Sequence, residues 1–311
     1  VYGRIDQDID RAIELLEKAR ETTLAENNKS HINLYVALGI KSRACLAEGD
    51  WDGAFKAAKR VIDEGGYAVG TKSDLTSGMN SLDKQNVMWG AGIQVADQAG
   101  GYAGFFTHMD NKEGAYAKSA PKLISKQLYN RISATDIRRD WWDPSDKESP
   151  YVSKKFSFAN VASFLGDYIY MRVEEMYFTA AEAALRLDDL KSARELMNTV
   201  MAERDPGYSA NNRSGTLLGA TTTTWTGSFL ENILTHRRIE LWGEYGRLFD
   251  VRRLGQGIDR RTDDGFSEEC ISMMNRRNVN ITKADTYDWV LTIPKAELDA
   301  NPNINEEDQN P

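Results

Sequence analysis

Seven aromatic residues, Tyr102, Phe105, Phe106, Tyr116, Trp141, Trp142 and Trp225, sit among glycines and polar side chains, and several of them have no helical core face to fill. A flat ring can stack on the C–H face of a sugar while Asn, Asp, Gln and Arg side chains satisfy the hydroxyls. Apolar platforms with a few convergent polar groups are how small ligands are held. Ligand contact is one reading of these rings; anchoring of their own loops is the other. Tyr102, Phe105, Phe106, Tyr116, Trp141 and Trp142 are the candidate ligand contacts. Trp89, inside the apolar run Val87 to Ala91, is assigned to the core.

Other chemistries find little support. His31, His108 and His236 share no short ligand spacing with one another or with a cysteine, so no transition-metal site is expected. Asp6, Asp8, Asp10 and Glu17 imitate a calcium loop, but Arg11 stands where the turn requires glycine. Gly100, Gly101 and Gly104 lack the lysine of a phosphate-binding loop and the strand-to-helix setting of a dinucleotide site, and no cofactor is expected. No serine occupies a G-x-S-x-G elbow, and Cys45 reads as a buried thiol within a helix. Arg237, Arg238, Arg247, Arg252 and Arg253 are interleaved with Glu240, Glu244 and Asp250. Arg237 with Glu240, and Glu244 with Arg247, stand three apart and are expected to pair on one helix surface, clamping neighbouring elements rather than binding phosphate.

The elements that must position these residues are mostly helical. Ile5, Ile9, Ile13, Leu16 and Ala19 fall on one face of a helix. Leu34, Leu38 and Cys45, then Ala54, Ala58, Val61 and Ile62, form a helical hairpin turning at Gly49, with Trp51 beside the turn. A second hairpin is read between Tyr168 and Arg204, turning at Asp188 and Asp189, and a further helix from the N-cap Ser228 to Tyr245. Such hairpins cannot bury their apolar faces alone, which predicts a mainly α, tetratricopeptide-like α-α superhelix with long loop insertions and a few short strands. Strands are read at Asn86 to Val95 and Tyr287 to Ile293, a short helix at Pro121 to Ile132, and a solvated loop at Thr221 to Thr224. The expected layout is a single body over 1–311. Its helical scaffold occupies 1–70 and 167–254, its loop-rich insertions 71–166 and 206–227, and its C-terminal extension 255–311.

The 311 residues carry 39 Lys plus Arg against 47 Asp plus Glu, a net charge of −8, which argues against a nucleic-acid partner. Apolar content of 41% excludes a disordered chain, and no apolar run approaches the roughly 18 residues needed to span a bilayer.

The run from Arg172 through Glu175 to Ala181-Glu182-Ala183 resembles the R-x-x-E…A-E-A helix of the SusD/RagB family of outer-membrane nutrient-binding lipoproteins. The block from His236 to Gly255, with Arg237, Arg238, Glu240, Leu241, Glu244, Arg247, Asp250 and Arg253, is similar to that family's central block. Ile293-Pro294 with Glu297 and Asn301-Pro302, then Gln309-Asn310-Pro311, is similar to its ending, and Asp136-Ile137-Arg138-Arg139 also fits. The chain resembles the later portion of a full member, whose lipid-bearing cysteine and first helices are expected before Val1. The resemblance implies a non-catalytic cell-surface protein that captures oligosaccharide and delivers it to a SusC-like TonB-dependent outer-membrane transporter. No family binding residue carries over by motif. The competing readings are a helical scaffold that binds only peptide or transporter and, last, a glycosidase.

Overall fold

A computed structural model describes residues 2–20, 28–97, 104–211, 227–258, 281 and 290–309. They group into two units, 1–220 with 226–247 and 221–225 with 248–311. The first unit opens with α1 (Tyr2–Arg20), α2 (Leu34–Glu48) and α3 (Trp51–Glu64). Asn33 caps α2 by accepting the Val36 N–H at 2.9 Å. Gly49, at φ +89°, ends it in the left-handed region that glycine adopts without a Cβ clash, and returns its N–H to the Cys45 carbonyl. Asp50 starts α3 one residue later by accepting the Gly53 N–H at 3.0 Å. The hairpin therefore turns where the sequence places it.

Beyond it the chain forms α4 (Lys72–Leu75), β1 (Val87–Ala91), α5 (Phe105–Met109), α6 (Ala115–Ser119) and α7 (Lys126–Tyr129). Next come β2 (Trp142–Asp143), β3 (Val152–Ser153), β4 (Tyr168–Arg172), α8 (Val173–Arg186), α9 (Leu190–Ala202) and α10 (Phe229–Glu240). The α2/α3 and α8/α9 hairpins stack through α3 and α8, with α1 against α2 and α10 against α8. Ala54 of α3 meets Ala183 of α8 in a cluster with Cys45 and Leu46, small side chains that let the helix backbones approach. Burial there pushes the Cys45 thiol up to about 12, so it packs as an inert apolar group. The architecture is the mainly α, tetratricopeptide-like superhelix with loop insertions and short strands that the sequence predicts.

In the first unit three elements differ from expectation. Tyr168–Arg172 is a strand rather than the start of a helix, because it pairs antiparallel with β1. A Cβ on Gly90 would stand 2.3 Å from the Tyr168 carbonyl oxygen, so the closeness of this pairing requires glycine. The segment read as a helix from Pro121 is helical only at Lys126–Tyr129. Ser125 caps it, while Lys122 and Ile124 pair with Ser153 and Tyr151. The helix read to Tyr245 stops at Glu240, where the Lys155 ammonium takes the carbonyls of Glu240 and Trp242 at 2.7 and 2.8 Å and Gly243 turns at φ +75°. Ser228 is the N-cap as read, accepting the Glu231 N–H at 3.0 Å. Ser228→Ala is expected to cost about 1 kcal/mol, checked as a lower urea midpoint with an unchanged slope.

In the helix α11 (Arg247–Arg253), which belongs to the second unit from Leu248 on, Asp250 and Arg253 form an ion pair at 2.8 Å. A further helix spans Lys295–Ala300. Residues 290–293 form no strand; the Gln309 side chain instead clamps Ile293 through both its N–H and its carbonyl, at 2.8 and 2.9 Å. Tyr287 to Trp289, Thr221 to Thr224, Trp225, Gly100, Gly101 and Cys270 lie outside the described residues. Among the described residues no helix is long and apolar enough to cross a membrane.

Candidate functional site

The charged block at the end of α10 is an internal clamp, though its partners differ from those read on one helix surface. Glu240 accepts Arg138, Arg172 and Arg204 at 3.0 to 3.1 Å, all with side chains shielded from solvent. Glu174 accepts Arg204 at 2.8 Å as well as the Gly70 N–H. Glu244 accepts Arg172 at 2.8 Å and Lys155 at 2.5 Å. Arg237 reaches Thr179 at 3.2 Å and Glu175 at 3.5 Å on α8 rather than Glu240. Burial pushes the Glu240 carboxyl up, but the charges of Arg204, Arg172 and Arg138 reverse this and hold it well below the usual carboxylate range. Burial pushes the Lys155 ammonium down to about 8, against the pull of Glu244. Four cations, Arg138, Arg172, Arg204 and Lys155, thus face four anions, Asp136, Glu174, Glu240 and Glu244.

This clamp fixes the turn 241–246, which forms one wall of an aromatic cleft of about 440 Å³. The β1–β4 ribbon supplies another wall. Trp89 and Tyr170 come from its two strands, with ring centroids 5.1 Å apart at 71°. Tyr168, Phe105, Phe156 and Tyr245 complete the aromatic lining. Register shifts on both sides of Trp89 mark bulges in β1, and bulges re-aim side chains. Val87 and Met88 are wholly buried, whereas the Trp89 indole is half-buried and faces the cleft, not the core to which its apolar neighbours assign it. Tyr170 is 41% exposed. Arg43 grips Glu175 with Nε and Nη2 at 2.9 and 2.6 Å, donates to the Tyr170 carbonyl, and lies 3.8 Å over the Tyr245 ring.

Of the five described rings among the six singled out in the sequence, only Phe105 lines this cleft. Trp141 and Trp142 are 2% and 1% exposed and correct the expectation of ligand contact. Trp141 donates its indole N–H to the Leu75 carbonyl at 2.8 Å, and Trp142 packs edge-on against Tyr129 and Trp242. Phe106 is likewise buried, against Phe158 and the backbone of Gly166. These three rings fasten the insertion to the scaffold and leave no open face for a sugar. Tyr116 is exposed and stacked flat on His108 at 4.6 Å, away from the cleft lining. Tyr102 lies outside the described residues. Sequence reasoning missed Trp89, Phe156, Tyr168, Tyr170 and Tyr245. The Tyr-x-Tyr alternation at 168–170 is the signal that could have shown two of them on a strand.

A larger hollow of about 680 Å³ lies by α6 and β3. Charged side chains crowd it and pair with one another, as in Lys118–Glu113 and Lys154–Asp143, and few rings reach it. The smaller aromatic cleft is therefore the candidate site.

The chain belongs to the SusD family, whose sequence profile matches residues 106–311. A solved SusD-like carbohydrate binding protein from Bacteroides vulgatus is 29% identical, with a TM-score of 0.65 over 81% of this chain and 52% of its own. A SusD superfamily protein from the same species is 20% identical, with a TM-score of 0.74 over 98% of this chain and 65% of its own. Surface glycan-binding protein A from Bacteroides uniformis is 17% identical, with a TM-score of 0.63 over 98% of this chain and 68% of its own. The latter two likenesses are of fold. The chain thus spans about half to two thirds of the length of these structures. No curated protein matches it.

Proposed function

We propose that the protein binds oligosaccharide in the aromatic cleft at the cell surface, as part of a lipid-anchored outer-membrane protein. It passes the sugar unchanged to a SusC-like TonB-dependent transporter. The observation that carries this reading is the pair Trp89 and Tyr170, held edge to face on the two-stranded ribbon and lining the cleft, with Tyr170 41% exposed. Two rings held edge to face offer a bent platform for successive sugar rings, and Arg43 adds a fixed polar donor. Membership of the SusD family and the description of the Bacteroides vulgatus relative as carbohydrate binding support the ligand class.

Two further features favour capture over other readings. The apolar faces of α2 and α8 are spent on neighbouring helices, which leaves the loop cleft rather than a helix groove as the binding surface. Glycoside hydrolysis uses two carboxylates, and among the described residues lining the cleft the one carboxylate is Glu244, already held by Arg172 and Lys155.

Calorimetry of the wild type and a Trp89→Ala, Tyr170→Ala double variant against glycan and peptide panels tests the proposal. Losing two stacking rings at about 1 kcal/mol or more each should weaken glycan binding about tenfold or more. Peptide binding without any glycan binding, or glycan affinity untouched by the double substitution, overturns the assignment of the site. Transporter delivery is checked separately, by co-purification from outer membranes.

A further inference from the structure

We infer that the cleft selects uncharged oligosaccharides over uronate-bearing or sulfated ones; this rests on the glycan reading above and narrows it to one chemical class. Two ionised side chains, Arg43 and Glu244, line the cleft among the described residues, and each is already engaged inside the wall. Arg43 meets Glu175 in a two-point fork, with 13% of its side chain exposed and 2% of its partner's. Glu244 faces Arg172 and Lys155.

A carboxylate or sulfate entering the cleft finds no cation without a counter-ion. The one donor it can reach there, Nη1, belongs to a guanidinium whose charge Glu175 already offsets in a two-point fork, and it leaves water for a wall made mainly of rings. A neutral sugar meets no such obstacle. Its C–H face lies on Trp89 or Tyr170, and its hydroxyls find Arg43 Nη1, the one guanidinium nitrogen that Glu175 and the Tyr170 carbonyl leave unused. Nη1 is a donor only, which matches a sugar hydroxyl or ring oxygen.

The test is calorimetry on the full chain with neutral gluco-, manno-, xylo- and galacto-oligosaccharides beside oligogalacturonate and a sulfated oligosaccharide. Each is measured with wild type and with the Trp89→Ala, Tyr170→Ala variant. A neutral sugar is expected to bind about tenfold or more tightly than any acidic one, changing less than about twofold between about 50 and 500 mM salt. That binding is expected to be lost in the variant. An acidic oligosaccharide that binds more tightly than every neutral one, weakens steeply with salt and is lost in the variant overturns this inference while leaving the glycan reading intact. Binding of neither class overturns both.

Discussion

Glu240→Ala is expected to destabilise the protein by about 3–5 kcal/mol, because it removes the anion on which Arg138, Arg172 and Arg204 converge and leaves their charges buried. The cost comes from the orphaned cations more than from the lost attraction, since a buried ion pair gains little over an apolar substitute of equal shape. Glu240→Gln, which keeps the shape and one acceptor, is expected to lie between Ala and wild type. Urea unfolding followed by far-UV circular dichroism measures both; a Glu240→Ala loss below about 1 kcal/mol would place the stability elsewhere.

The same network sets the acid limit. Glu240 and Glu244 have folded pKa values below the unfolded value of about 4.3, so their contribution is complete above that pH. It falls away as the pH drops through the lower folded values, when the native state must take up the protons that the unfolded chain already holds. A plot of midpoint against pH should therefore decline below about pH 4.5 in the wild type, and less steeply in Glu240→Gln.

Trp141→Ala is expected to cost about 3–5 kcal/mol, as for other large buried aromatics. Truncation opens a cavity among Leu75, Ile124, Leu128 and Trp142 and strips the Leu75 carbonyl of its indole donor. It also removes the ring lying 4.5 Å beneath the Lys155 ammonium, which leaves that buried cation less well compensated. Thermal unfolding compared with Tyr116→Ala makes the contrast sharp. Tyr116 is 42% exposed, and its loss should stay within about 0.5 kcal/mol. Equal effects at the two positions would contradict the burial assigned to Trp141.

The sequence alone determined the helical hairpins, because their information is local. Side chains three and four apart share a face, Gly49 can take positive φ, and Asn33, Asp50 and Ser228 accept the N–H groups that a helix start leaves open. The family motifs were legible for the same reason: they are short runs around Glu240 and Glu174. Only the tertiary structure decided which charges Glu240 meets, since Arg138, Arg172 and Arg204 come from segments distant from it, and short spacing misassigned Arg237 to Glu240. It also decided which rings face a ligand. Trp141 and Trp142 look like loop residues, yet α7 and α10 supply the core around them. Trp89 looks like a core residue, yet bulges against a strand some eighty positions later turn it outward. Whether a ring is buried depends on what arrives to cover it, and that covering comes from chain far away in sequence, which no local period records.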